Sequence, residues 1–100
     1  MYRVHILPLD VVIDAAEGSS IMEAAQANGL YWPTTCGGQG ECTTCAGIIV
    51  SGGESLSEMG RSERRSLVEN RGADSLNKPI RLCCQARVYG DVKVQKPGVR

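Results

Sequence analysis

One hundred residues with no net charge set the first bounds. The length fits one domain, 1–100, with a modest core. Phe is absent, and one Trp and three Tyr leave that core to Val, Ile, Leu and Ala. No stretch approaches the ~20 apolar residues of a membrane span. The balanced charge also lacks the basic excess of a nucleic-acid binder. The start, Met-Tyr-Arg-Val-His-Ile-Leu-Pro, lacks the apolar run of a signal peptide and reads as a strand. The expectation is a cytoplasmic monomer, with no membrane and no nucleic acid as partner. Charge is unevenly spread: residues 1–53 hold five acids against Arg3 (−4), and residues 54–100 hold ten bases against six acids (+4).

Residues 2–7 alternate, and Asp10–Ala16 continues with Val11, Val12 and Ile13, so an opening hairpin is predicted across Pro8-Leu9-Asp10. Ser20-Ile21-Met22-Glu23 has the spacing of a capping box. The helix it starts should run through Ala27 and stop at Asn28-Gly29. Residues 31–45 show neither helical nor strand period and are rich in Gly, Thr and Cys, which predicts a long functional loop. Ala46–Val50 reads as a buried strand closed by Ser51-Gly52-Gly53. Residues 61–71 read as a short polar helix anchored by Leu67 and Val68. Ile80–Val88 alternates again, and Asp91–Gln95 adds a last strand after Tyr89-Gly90. The sum is an α+β domain.

Five cysteines in a reducing compartment point to metal or redox chemistry, and the odd number argues against a disulfide framework. Cys36, Cys42 and Cys45 share the loop, and Cys83-Cys84 follow far along the chain. Four thiolates suit both zinc and a [2Fe–2S] cluster. Structural zinc ligands usually come as two close pairs. Here the first gap is five residues, and adjacent Cys83 and Cys84 cannot easily face one ion together, so the larger cluster fits better. Gly37, Gly38 and Gly40 let the backbone approach it, with Thr43 and Thr44 nearby. Alternation puts Ile80, Leu82, Cys84, Ala86 and Val88 on the apolar face. Cys84 is therefore the expected fourth ligand, and Cys83 a spare thiol on the more polar face.

Cys-Gly-Gly-Gln-Gly-Glu-Cys-Thr-Thr-Cys (36–45), followed by Arg-Leu-Cys-Cys-Gln (81–85), resembles the [2Fe–2S] ferredoxin family. Ser20-Ile21-Met22-Glu23-Ala24-Ala25 and Pro33-Thr34-Thr35-Cys36 extend the likeness over nearly the whole chain. The resemblance implies a β-grasp fold: a mixed sheet packed on one main helix, with a long cluster-binding loop. It implies a [2Fe–2S] cofactor on Cys36, Cys42, Cys45 and Cys84, with Cys83 where the family usually has Ala. The five-residue first gap is similar to the adrenodoxin and putidaredoxin branch and to other bacterial ferredoxins. That branch implies electron transfer from a flavoprotein ferredoxin reductase, using NAD(P)H, to an oxygenase of P450 or Rieske type, or to another redox acceptor. Iron–sulfur cluster assembly is the alternative service, and a structural zinc-binding interaction module is the alternative class. The 61–71 segment departs from the acidic helix of adrenodoxin-like proteins, since it holds Arg61, Arg64, Arg65 and Arg71 against Glu63 and Glu69.

A Rieske centre needs two His on one iron, and His5 is the chain's one histidine, expected to be structural. Trp32 fits core packing better than shielding of a cluster. With no phosphate loop and no Ser/His/Asp set, the expectation is an electron carrier with no enzymatic activity of its own.

Overall fold

The computed structural model describes residues 1–33 and 44–100. Strands β1 (Tyr2–Leu7) and β2 (Val11–Ala15) form the predicted antiparallel hairpin, with Val4 paired to Ile13. Val4, Ile6, Ile13 and Ala15 point inward, so alternation in the sequence becomes one buried face. At the turn Asp10 takes a positive φ of 60°, which Asp tolerates better than most residues. His5 Nε2 and Asp10 Oδ1 lie 2.7 Å apart, so the histidine has a local structural partner.

Helix α1 (Ile21–Ala27) starts on the capping box: Ser20 Oγ accepts the Glu23 N–H, and the Glu23 carboxylate accepts the Ser20 N–H. It stops at Asn28, and Gly29 follows with φ of 79°. Its Ile21, Met22, Ala24 and Ala25 are buried in the core shared with the sheet.

Strand β3 (Ala46–Ser51) comes next among the described elements, and α2 (Arg61–Arg71) and a 3-10 turn (Ala73–Asn77) lead to β4 (Ile80–Leu82). The last strand, β5 (Val92–Gln95), runs parallel to β1 and antiparallel to β3. The sheet order β2-β1-β5-β3-β4 puts the last strand at the centre. This mixed sheet with its packed helix is the β-grasp arrangement that the resemblance implied.

Two expectations need correction. Ile80–Val88 is not one strand: β4 ends at Leu82, whose carbonyl accepts both the Gln85 and Ala86 N–H groups in a turn. Pairing resumes only as isolated bridges, Arg87 with Ser20 and Val88 with Leu56. Val68 does not anchor α2, because the buried face is Glu63, Ser66 and Leu67. Val68 lies 100° of helical turn beyond Leu67 and is 37% exposed.

Candidate metal centre

Cys45 and Cys84 are 39 residues apart in the chain and meet with their Sγ atoms 3.2 Å apart. Each is held by a separate set of backbone contacts. Cys45 stands just before β3, and its carbonyl accepts the indole Nε1–H of Trp32 at 3.0 Å. Trp32 is 1% exposed, so it serves as core packing and as a tie to the Cys45 backbone at once. One residue earlier, the Thr44 carbonyl accepts a hydrogen bond from Lys96 Nζ at 2.6 Å.

Cys84 lies in the turn after β4. The start of α1 leaves N–H groups without helical acceptors, and two of them reach this turn. Met22 N–H donates to the Cys83 carbonyl at 2.9 Å, and Ile21 N–H to the Ala86 carbonyl at 3.1 Å. On the other side, Glu63 of α2 accepts the Leu82 N–H at 2.9 Å and two guanidinium N–H groups of Arg81 at 2.7 and 3.1 Å. Arg81 also donates to the Ser57 carbonyl. The Gln85 side-chain amide donates to Cys84 Sγ at 3.6 Å.

The electrostatics favour a cation at this pair. Cys84 beside it, then burial, hold the Cys45 thiol well above the usual thiol range. Two buried sulfurs in contact cannot both carry charge without a positive centre to replace their protons. A thiolate-binding metal supplies that centre. The donor set therefore fits a thiolate-bound metal group.

Cys83 stands elsewhere. It is fully buried, not on a polar face, because the turn at residues 83–85 breaks the alternation expected there. A side chain at Gly47 would meet Cys83 Sγ at 3.2 Å and Val94 Cγ2 at 2.9 Å, so the thiol is packed between β3 and β5. Burial pushes its pKa up to about 12. The expected ligands Cys36 and Cys42, with Gly37, Gly38, Gly40 and Thr43, lie outside the described residues.

Sequence reasoning missed Glu63, Arg81 and Lys96 as supports of the site. Glu63 had a signal: it is three and four residues before Ser66 and Leu67, on the helix's inner face. Lys96 had none, since its contact to Thr44 spans 52 residues.

A β-grasp sheet that brings two buried thiols face to face, one of them at the end of a cysteine-rich stretch of sequence, defines a small thiolate-held metal domain. Residues 4–89 match the family described as the 2Fe-2S iron-sulfur cluster binding domain, and the chain belongs to that family. The chain is 34% identical over 99 residues to 2Fe-2S ferredoxin-5 of Aquifex aeolicus, covering 97% of this chain and 100% of that one. The crystal structure of the ISC-like [2Fe-2S] ferredoxin (FdxB) from Pseudomonas putida superposes with a TM-score of 0.79 at 29% identity, covering 97% and 93% of the two chains. The reductase component of a Pseudomonas phenol 2-monooxygenase is 36% identical over 74 residues, 66% of this chain and 21% of that protein. This chain is thus a [2Fe–2S] ferredoxin, an electron carrier and not an enzyme. Among the described residues no helix is long and apolar enough to cross a membrane.

Proposed function

We propose that Cys36, Cys42, Cys45 and Cys84 hold the cluster, and that the protein carries electrons from a flavoprotein NAD(P)H reductase to an oxygenase. The observation that carries the ligand assignment is the buried 3.2 Å approach of Cys45 Sγ and Cys84 Sγ, set against the separate packing of Cys83. When bound, the cluster takes up and gives back one electron. The chain's part is to hold the thiolates, exclude water from them and set the field around them. Trp32 and Lys96 fix the Cys45 end, while Glu63, Arg81 and the start of α1 fix the Cys84 end.

The oxygenase assignment draws on the relative whose name includes a monooxygenase reductase component. A second reading, service in iron–sulfur cluster assembly, draws on the ISC-like ferredoxin among the structural neighbours. The cytoplasm and a monomeric state complete the reading.

Absorption spectra of purified protein before and after dithionite, with iron and acid-labile sulfide counted, test the ligands. Cys84→Ser should change or abolish the visible bands, and Cys83→Ser should leave them intact; the reverse result sinks the assignment. Reconstitution with the host's reductase and each of its oxygenases tests the acceptor. Turnover in none of them, with activity restored in a cluster-assembly assay, would favour the second reading.

A further inference from the structure

Helix α2 turns its two faces to different tasks. Glu63, Ser66 and Leu67 are buried. With 3.6 residues per turn, Arg61, Arg65 and Val68 fall on the opposite side, Arg64 and Arg71 flank it, and all five are exposed. Val68 sits three or four positions from Arg64, Arg65 and Arg71, close enough on a helix surface for side chains to be neighbours. An exposed aliphatic side chain is therefore bordered by guanidinium groups. Of the helix's two acids, Glu63 is engaged with Arg81 inside the protein, which leaves Glu69 as the one exposed acid. Among the described residues, Arg61, Arg64 and Arg65 form no ion pair.

The first turn of this helix lies beside the Cys84 end of the site. Glu63, from the inner side of the same helix, accepts the N–H of Leu82, two residues before Cys84. Arg61 shares a cavity of about 360 Å³ with Gln85 and Arg87, and Gln85 donates to Cys84 Sγ. Glu58 and Glu63 also line the cavity. Arg87 is held there by the Gly18 carbonyl, with Glu23 at 3.8 Å. The whole chain has no net charge, so a partner is steered by such a local patch and not by a global attraction.

We propose that the outer face of α2 is the docking surface for a redox partner protein whose own docking face is acidic around an apolar centre. Val68 meets the apolar centre, Arg61, Arg64 and Arg65 meet the acids, and the partner's redox centre comes to lie on the Cys84 side. This inference rests on the electron-carrier reading and adds to it the chemistry of the partner. An apolar core with a charged rim is the usual anatomy of such interfaces, and charge complementarity acts mainly on the association rate.

The test uses cluster-loaded protein reduced with dithionite and freed of excess reductant. It is mixed in stopped flow with ferric cytochrome b5, an acidic haem protein, and separately with ferric cytochrome c, a basic one. One electron leaves the reduced cluster, and one haem iron passes from ferric to ferrous. The bimolecular rate with cytochrome b5 should fall as salt is raised from about 20 to about 500 mM. Arg64→Glu/Arg65→Glu should lower it about tenfold at low salt without lowering the rate with cytochrome c. Arg3→Glu/Lys93→Glu makes the same change in charge on β1 and β5, away from α2 in the sheet order, and should lower it less than about twofold.

An unchanged rate in the α2 variant, or equal losses in both variants, overturns the assignment. Retention of the α2 variant's rate together with α2-dependent binding to anionic lipid vesicles or single-stranded DNA would give the face to phosphate groups instead. Arg61→Gln/Arg65→Gln serves if charge reversal prevents cluster loading. Failure of the wild-type visible bands to bleach with dithionite would sink the electron-carrier reading itself, before any partner is tested.

Discussion

The Glu63 carboxylate grips Arg81 through two hydrogen bonds and, with the same oxygen that accepts Arg81 Nε–H, takes the N–H of Leu82. Glu63 is 2% exposed, so this is a buried ion pair that joins α2 to the strand leading to Cys84. Removing one partner leaves a buried charge and an unpaired N–H. Glu63→Ala should cost about 3–5 kcal/mol of stability, whereas Glu69→Ala on the exposed face should stay within about 0.5 kcal/mol. Thermal unfolding of the two loaded variants checks this, and equal midpoints would show that the pair contributes little.

Lys96 places an ammonium group on the carbonyl that precedes Cys45. A nearby positive charge favours the form of the site that carries the extra electron. With an effective dielectric of about 20 and solvent screening, the effect is on the order of 1 kcal/mol, which for one electron is about 40 mV. Lys96→Gln should therefore lower the midpoint potential by tens of millivolts, and Lys96→Arg should hold it near wild type. A potentiometric titration followed at the visible bands gives the answer; a rise in Lys96→Gln would contradict the electrostatic account.

Cys83 is buried between β3 and β5 and has no place in the proposed ligand set. Cys83→Ala removes one buried sulfur and should cost about 1 kcal/mol through the small cavity left behind. Iodoacetamide should leave Cys83 unlabelled in the folded, loaded protein and label it after denaturation. Labelling of Cys83 at the native rate of an exposed thiol would show that its packing is looser than the structure has it.

Trp32 combines a large buried ring with one hydrogen bond to the Cys45 carbonyl. Trp32→Phe keeps most of the ring and leaves that carbonyl without its donor, at a cost of about 1–3 kcal/mol. The loss should appear as faster bleaching of the cluster at elevated temperature, with the starting spectrum little changed. A variant as durable as wild type would reduce Trp32 to a filler of space.

Much of the fold was legible because its signals are local. Alternation at residues 2–7, the Ser20–Glu23 box and the Asn28-Gly29 stop each involve residues close in sequence, and each element formed where the pattern put it. The choice of Cys84 over Cys83 came from alternation along a strand that in fact ends at Leu82. The turn, with two N–H groups on one carbonyl, has no period to read, and so Cys83 was placed on a polar face it does not occupy. The supports of the site were hidden for a related reason. Trp32 reaches Cys45 across 13 residues, Glu63 reaches Leu82 across 19, and Lys96 reaches Thr44 across 52. Pairings of that kind depend on how strands are ordered in space, which no window of sequence contains.

The position of β5 has a consequence for the life of the cysteines. The strand made last, Val92–Gln95, sits between β1 and β3, so neither half of the sheet can close on the other before it is in place. Contacts that bridge most of the chain are slow to form, because a long loop must be closed first. β3 and β4 pair with each other directly, next to Cys45 and Cys84, but that pair gains its neighbour on the other side only with β5. Until residue 95 is made, the sheet beneath that pair is incomplete, and its thiols are then least covered against oxidation.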